Sequence, residues 1–280
     1  MTYEAAVPLT DLLPEWVLLS GVFILGLFLG SFVSALSWRL PRGHSILEFS
    51  GSRRSVCPSC LTPLHVKDLV PLFSFLLFRG KCRHCTKPVS PRYPLIETGT
   101  AALCVLFFAF IPYAQTSLPV FVLIMTLAVL LATIIAIDLE HKIIPNILNI
   151  SIALLGLGYL LAVFFLSGDS YQQLYGTLSA LLLAVAVYTV FPILLRSAFL
   201  VFARKEALGL GDVKFFAAAG FWLSLKIFPL FLMIAGFSGI LLGLIWKHVK
   251  KEDAFPFGPA LALSFAVCLC LPENFLFEFL

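Results

Sequence analysis

The sequence predicts an all-α polytopic membrane protein with about eight transmembrane helices and a small, cytoplasmic, zinc-ribbon-like insertion. Of the 280 residues, 60% are hydrophobic and only 12% are charged, and the mean hydropathy is +1.02. A soluble domain has about one quarter charged residues. Apolar runs of about 20 residues, the length that crosses a bilayer as a helix, recur along the chain. The one long polar segment between them carries two pairs of cysteines.

Eight apolar runs are candidates for membrane-spanning helices. The sixth is short, and its boundary with the seventh depends on Lys226 and Pro229, so seven spans is the alternative count. The first run is too long for the apolar region of a signal peptide, and no basic residue precedes it. The runs cover roughly residues 16–38, 95–114, 118–137, 144–166, 174–199, 213–225, 226–246 and 256–271.

The basic residues orient the chain in the membrane. If the N-terminus lies outside, all but one of the 19 Lys and Arg residues fall on the inner side, and Lys226 is the exception. An excess of Lys and Arg marks cytoplasmic loops. The net charge of +4 is therefore a signal of topology, and the expected surroundings are membrane lipid, with no nucleic-acid partner.

Three regions follow from this topology. Residues 1–38 hold the first transmembrane helix, residues 39–94 form a Cys-rich cytoplasmic insertion, and residues 95–280 form the transmembrane core. The insertion contains one apolar piece, VPLFSFLLF (residues 70–78), which is too short to cross a bilayer. It is expected either to form the small core of the insertion or to lie against the membrane surface.

The insertion contains a candidate metal centre. CPSC and CRHC place Cys57, Cys60, Cys82 and Cys85 in two Cys-x-x-Cys pairs. Two such pairs at this spacing are typical of a four-thiolate zinc site, which leaves no open position for catalysis and is therefore structural. Disulfides, or reduced cysteines without metal, are the alternatives. A cytoplasmic location argues against disulfides.

Two aspartates stand at the ends of apolar runs, at positions that the predicted topology places on the cytoplasmic side. Asp138 closes the third run and Asp212 opens the sixth. Two carboxylates that approach closely share a proton, as in aspartic proteases, where one takes a proton from water and the other polarises the scissile carbonyl. Alternatively, Asp212 caps its helix, Asp138 pairs with Lys142, or the pair serves an ion-coupled transporter.

The residues around Asp212 are expected close to the substrate. Gly209 and Gly211 precede the aspartate in GLGD, and Lys214 follows it. Glycines let a substrate backbone approach, and they allow turns that other residues resist.

Seven motifs occur together in a specific order and spacing. With them, the chain resembles the bacterial type IV prepilin peptidases, which combine a leader peptidase with an N-methyltransferase. The resemblance covers nearly the whole chain. The motifs are GSFVSALSWRLP (30–41), the two cysteine pairs, RGKC (79–82), RYPLIE (92–97), the run from Ile137-Asp138 to Pro145-Asn146, GLGDVK (209–214) and FPFGP (255–259).

This resemblance implies an enzyme of the bacterial inner membrane. It would cut a short, basic leader from prepilins and pseudopilins after a glycine, with Asp138 and Asp212 as the catalytic pair. It would then transfer a methyl group from S-adenosylmethionine to the new N-terminal amine. Gly80 and Lys81 match residues linked to methyl transfer, and Glu97 is grouped with them, either attracting the basic leader or capping its helix.

The chain departs from the family pattern at two positions. Ser34 stands where the family usually has Asn, beside the insertion, and bears on methyl transfer. Asn146 stands where the family usually has Asp, and removes a charge near Asp138. The alternatives to the bifunctional enzyme are a peptidase without methyl transfer and a carboxylate-dependent membrane transporter.

Overall fold

The computed structural model describes residues 13–43, 56–57, 59–111, 114–168, 170–204, 208–252 and 254–271. Within these ranges the protein consists of nine α-helices with short connections, and it has no β-strand beyond two isolated bridges. The helices are α1 (Glu15–Arg39), α2 (Phe73–Leu77), α3 (Arg92–Phe110), α4 (Leu118–His141), α5 (Asn146–Ser167), α6 (Tyr171–Phe202), α7 (Leu210–Ala219), α8 (Phe228–Lys250) and α9 (Gly258–Leu269).

Each of the eight predicted runs contains a helix, but only six of these helices are long and apolar enough to cross a membrane: α1, α3, α4, α5, α6 and α8. α7 has 10 residues and α9 has 12. At 1.5 Å per residue they extend about 15 and 18 Å, against about 30 Å of hydrocarbon core. By length and composition, six helices of the described residues can therefore cross a membrane, where the sequence indicated about eight runs. Hydropathy misled because most side chains of α9 are apolar and packed inside the bundle, without facing lipid.

α4 is the central helix of the bundle. About two thirds of its most apolar window is buried, a larger share than in any other candidate span. It contacts α1, α3, α5 and α9. Asp138, in the last turn of α4, is buried like most of the helix, although Leu139 and Glu140 after it are exposed.

α1 and α3 pack closely along their length. A Cβ atom at Gly26 would lie 2.5 Å from Cα of Ala101, and one at Gly30 would lie 2.5 Å from Cα of Glu97. Small residues four apart allow such contact between membrane helices. This explains Gly26 and Gly30 in the GSFVSALSWRLP region.

The insertion and the aspartates lie at the same end of the bundle. The guanidinium of Arg92, at the start of α3, forms an ion pair with the carboxylate of Glu140, two residues after Asp138. The same guanidinium donates a 2.7 Å hydrogen bond to Oγ of Ser37 in α1. Three of the basic residues behind the predicted orientation, Arg53, Arg54 and Lys205, lie outside the described residues.

Candidate active site and metal centre

Asp138 lies in the last turn of α4 and is 4% exposed. α4 ends at His141 because Lys142 adopts a left-handed conformation, with φ of 54°, and Pro145 follows. The backbone N–H of Gly258 donates a 2.7 Å hydrogen bond to Oδ2 of Asp138. A Cβ atom at position 258 would lie 2.8 Å from that oxygen. Any side chain there would therefore displace the carboxylate.

The FPFGP segment brings Gly258 to Asp138. A Cβ atom at Gly239 of α8 would lie 2.5 Å from the ring of Phe257, and one at Gly243 would lie 3.2 Å from the ring of Phe255. Residues four apart share one face of a helix. The two rings therefore rest in adjacent glycine notches on α8, and the chain leaves them directly into Gly258 and α9.

Asp212 lies in the first turn of α7 and is half-buried. Its Oδ2 accepts a 3.1 Å hydrogen bond from the N–H of Gly209. A Cβ atom at Gly209 would lie 2.9 Å from the same oxygen. Asp212 therefore does cap its own helix, as the alternative interpretation predicted, and capping leaves its second oxygen for other contacts.

The expected reason for the glycines is wrong in one respect. Gly209 has φ of −67° and ψ of 150°, a conformation open to any residue, so it makes no special turn. Gly211 faces the protein's own backbone, since a Cβ atom there would lie 3.1 Å from Cβ and 3.3 Å from N of Ile144. Whether Gly209, Gly211 and Lys214 also lie near a substrate stays a prediction.

The two aspartates come together through the segment that joins α4 to α5. Ile144, six residues after Asp138, packs on Gly211, one residue before Asp212. Two contacts from α5 hold the start of α7: Asn149 Nδ2 donates to the carbonyl of Gly211 at 3.1 Å, and Lys214 Nζ donates to Oδ1 of Asn146 at 2.8 Å.

The predicted alternative pairing of Asp138 with Lys142 is wrong. Nζ of Lys142 lies 2.5 Å from Oε2 of Glu252, in the segment after α8. Trp246 Nε1 donates to the same oxygen at 3.3 Å. The left-handed turn at Lys142 directs its side chain away from α4, so its charge stabilises the loop that leads to Gly258.

The four insertion cysteines form one cluster. All their Sγ atoms lie within 4.8 Å of one another, and those of Cys57 and Cys85 are 4.0 Å apart. A tetrahedral zinc with about 2.3 Å bonds places its sulfur ligands about 3.8 Å apart. The cysteines are free, which excludes the disulfide alternative. The donor set fits a structural zinc ion, in which four thiolates would hold the metal.

Thiolate formation in this cluster differs between its members. Hydrogen bonds from Thr62 lower the pKa of the Cys60 thiol to about 6. The pKa of Cys85 is raised to about 11: a backbone hydrogen bond from Lys87 lowers it, but desolvation and the other thiols outweigh that effect. A bound cation would favour the thiolate form of all four cysteines.

The two halves of the cluster are built alike. Cys57 N–H donates to the carbonyl of Thr62 at 3.0 Å, and Cys82 N–H donates to that of Lys87 at 2.9 Å. Both turns include a left-handed residue directly after the second cysteine, Leu61 or Thr86. The sequence signal is a repeated Cys-x-x-Cys-x-x-Pro, in CPSCLTP and CRHCTKP.

A cavity of about 420 Å³ separates the cysteine cluster from the ends of α1 and α3. It is lined by all three residues grouped with methyl transfer, Gly80, Lys81 and Glu97. Ser34 also lines it, and its buried Oγ has no hydrogen-bond partner among the described residues. The wall further includes Trp38, Arg39, Cys57, Asp68, Phe75, Phe78, Cys82, Arg83 and Tyr93.

Glu97 ties the insertion to the transmembrane bundle. Its Oε2 accepts a 2.7 Å hydrogen bond from the N–H of Leu72, the residue before α2. Leu72 has φ of 58°, which turns this N–H toward α3. Glu97 is buried five residues into its helix, so the predicted capping role is wrong.

Sequence reasoning missed two residues of the site. Gly258 appears in the sequence analysis only as part of the FPFGP motif. Its contact with Asp138 could not be read from that motif, because the two residues are far apart in the chain. Asn149 is 3% exposed and binds the backbone beside Asp212. An amide at position 149, in the largely apolar run LNISIALL (148–155), is the signal that could have indicated a buried hydrogen bond.

Comparison with known proteins covers most of the chain. Residues 24–111 match the model of the bacterial peptidase A24 N-terminal domain, and residues 124–244 match that of the type IV leader peptidase family. A prepilin leader peptidase/N-methyltransferase of Pectobacterium carotovorum subsp. carotovorum is 33% identical over 91% of this chain and 93% of that protein.

Two other relatives agree with this assignment. A type 4 prepilin-like proteins leader peptide-processing enzyme of Escherichia coli O78:H11 (strain H10407 / ETEC) is 32% identical over 85% of this chain and 88% of its own. A prepilin leader peptidase/N-methyltransferase of Aeromonas hydrophila is 31% identical over 89% of each chain. No solved structure matches the chain.

Proposed function

The chain belongs to the bacterial type IV leader peptidase family, and from this premise we propose that it is a multi-pass inner-membrane enzyme that removes the leader from prepilins and pseudopilins and methylates the new N-terminus. The observation that supports the proteolytic half is the packing of Ile144 on Gly211, which brings the segments that carry Asp138 and Asp212 together at one end of the bundle. None of the relatives named above is a transporter, so nothing favours that alternative.

Asp138 and Asp212 would act as an aspartyl pair. Each uses Oδ2 to accept a backbone N–H, from Gly258 and Gly209 respectively, and neither Oδ1 accepts a hydrogen bond from the described residues. The ionised carboxylate takes a proton from a water molecule, and the oxygen of that water attacks the carbon of the scissile carbonyl. The protonated carboxyl donates to the carbonyl oxygen, and a proton then passes to the leaving amine.

The depth of the site suits a prepilin-type substrate. Asp138 ends a membrane-spanning helix, and the insertion lies at the same end of the bundle. A substrate helix in the bilayer would therefore present its polar N-terminal junction at the level of the aspartates. The distribution of Lys and Arg favours the cytoplasm for this end.

We assign methyl transfer to residues 39–94 together with the ends of α1 and α3, and the binding of S-adenosylmethionine to the 420 Å³ cavity. A volume of 300–1,000 Å³ is typical of small-molecule sites. S-adenosylmethionine supplies a methyl group carried on a sulfonium sulfur. The carboxylates of Asp68 and Glu97 suit its positive groups, the ammonium of Lys81 suits its carboxylate, and the ring of Tyr93 suits adenine.

The zinc cluster would hold one wall of this cavity. Cys57 and Cys82 line it directly, and Gly80 leads into the second cysteine turn with a left-handed φ of 66°. A Cβ atom at Gly80 would lie 3.1 Å from the ring of Phe75, which lines the same cavity. A side chain at position 80 would therefore press on the cavity wall, which explains why glycine suits this position of the predicted methyl-transfer group.

Replacing either aspartate tests the proteolytic mechanism. We expect Asp138→Asn and Asp212→Asn each to abolish leader removal from a purified prepilin, because an amide cannot take a proton from water. Both proteins should retain the melting temperature and zinc content of the wild type. Cleavage at the wild-type rate in either variant would exclude the aspartyl pair.

Filling the cavity tests the methyl-donor site. We expect Ser34→Leu to weaken S-adenosylmethionine binding, measured by calorimetry, by about tenfold or more, or about 1.4 kcal/mol, while leader removal continues. Ser20→Leu is the matched control, since Ser20 is an exposed residue of the same helix. Unchanged affinity in Ser34→Leu would place the methyl donor elsewhere.

A further inference from the structure

We propose that the outer face of α2, formed by Phe73, Leu76 and Leu77, is embedded in the phospholipid leaflet at the insertion's end of the bundle. These three side chains are 62%, 63% and 60% exposed. They are spaced at i, i+3 and i+4, which places them on one side of the helix. This inference does not depend on either proposed catalytic activity.

α2 cannot be the core of the insertion, the other role that the sequence allowed. None of its residues is buried. Its opposite side does have a partner, because Phe75 and the following Phe78 line the large cavity. The helix is therefore a thin wall with the cavity on one side and its outer face uncovered on the other.

The depth of α2 identifies what covers that face. The hydrogen bond from Leu72 N–H to Glu97 joins the beginning of α2 to the second turn of α3. α3 has 19 residues, or about 28 Å, which is close to the thickness of the hydrocarbon core. Glu97 is five residues, or about 8 Å, inside the end of this span. α2 therefore lies at the boundary between headgroups and acyl chains.

The chemistry around α2 also matches a lipid surface. VPLFSFLLF contains no charged residue, so no charge opposes insertion of this face. The exposed basic residue Arg79 follows immediately, and a basic group beside an apolar face favours anionic headgroups. Leu95, 69% exposed in the same part of α3, shows that apolar side chains already face outward at this depth.

An embedded α2 would give the insertion a second attachment to the membrane. The cysteine cluster lies across the cavity from α1 and α3, joined to them by the ends of the insertion and the Glu97 contact. A lipid-held α2 would fix the remaining wall, so that the cavity stays adjacent to the membrane surface.

Photocrosslinking from the α2 face tests the proposal in the full-length, zinc-loaded protein. p-Benzoylphenylalanine replaces Leu77, or Phe73 in a second variant, and the protein is reconstituted in vesicles of phosphatidylethanolamine and phosphatidylglycerol. The control places the same probe at Leu61, which is 72% exposed on the cysteine turn across the cavity. Intact mass after irradiation identifies the adduct.

We expect phospholipid adducts at Leu77 and Phe73 at least about fivefold more often than at Leu61. Equal, low lipid labelling at all three positions would show that the face is in water and would overturn the proposal. Adducts to a second protein chain in place of lipid would overturn it equally, by showing that protein covers the face.

Discussion

The contact between Gly258 and Asp138 makes one substitution especially informative. In Gly258→Ala, the new Cβ atom would lie 2.8 Å from Oδ2, 3.0 Å from Cγ and 3.1 Å from Cβ of Asp138. All three are atoms of the Asp138 side chain, so the clash falls on the proposed catalytic group. Ordinary van der Waals contact begins near 3.4 Å. Either the carboxylate or the start of α9 must therefore move by about half an ångström.

This movement breaks or lengthens the 2.7 Å hydrogen bond from Gly258 N–H to Oδ2. A hydrogen bond to a charged group contributes about 1.5–3 kcal/mol, and each 1.4 kcal/mol corresponds to a tenfold change in rate. We expect kcat/KM for leader removal to fall by about 10- to 150-fold. The assay is prepilin cleavage by purified protein over a range of substrate concentrations.

Gly236→Ala is the matched control, because a Cβ atom there would meet nothing within 4 Å. It makes the same change in a neighbouring membrane helix, and we expect wild-type kcat/KM from it. Wild-type kcat/KM in Gly258→Ala would show that the contact of Gly258 with Asp138 does not position the carboxylate for cleavage. An equal loss in both variants would show that the effect is not specific to Asp138.

Two further predictions concern the insertion and the loop that leads to Gly258. We expect the wild-type protein to hold about one zinc per chain, the stoichiometry of a four-thiolate site. Cys57→Ser should lose this zinc, and Cys104→Ser, which changes a cysteine buried in α3, should keep it. A metal-free wild-type protein with both activities would contradict this prediction. Hydrogen bonding from Lys142 lowers the pKa of Glu252, so the stability that this pair contributes is present near neutral pH and is lost as the pH falls through the lowered pKa. Glu252→Gln should therefore lower the melting temperature at about pH 7 but hardly at about pH 3, and an equal decrease at both would mean that the charge is not involved.

The sequence predicted the helices well because a bilayer imposes one simple rule on them. Apolar runs of the right length become helices, although α4 continues to His141, four residues beyond the predicted run, before Lys142 ends it. The rule failed for α7 and α9, whose apolar residues face other helices. Hydropathy cannot distinguish a residue that faces lipid from one that faces protein.

The candidate site could be predicted only where its chemistry is local in sequence. The cysteines are paired within four residues, and each aspartate stands out against an apolar run. The contact of Gly258 with Asp138 joins residues 120 positions apart, and that of Glu97 with Leu72 depends on a left-handed leucine. Such contacts follow from the packing of whole helices, which no short motif specifies.

We propose that one chain carries both activities at the same end of its bundle. The most direct test is the intact mass of a purified prepilin after incubation with the wild-type protein and S-adenosylmethionine. We expect a product that lacks the leader and carries one added methyl group. A prepilin of unchanged mass, or a cleaved product that never gains the methyl group, would contradict it.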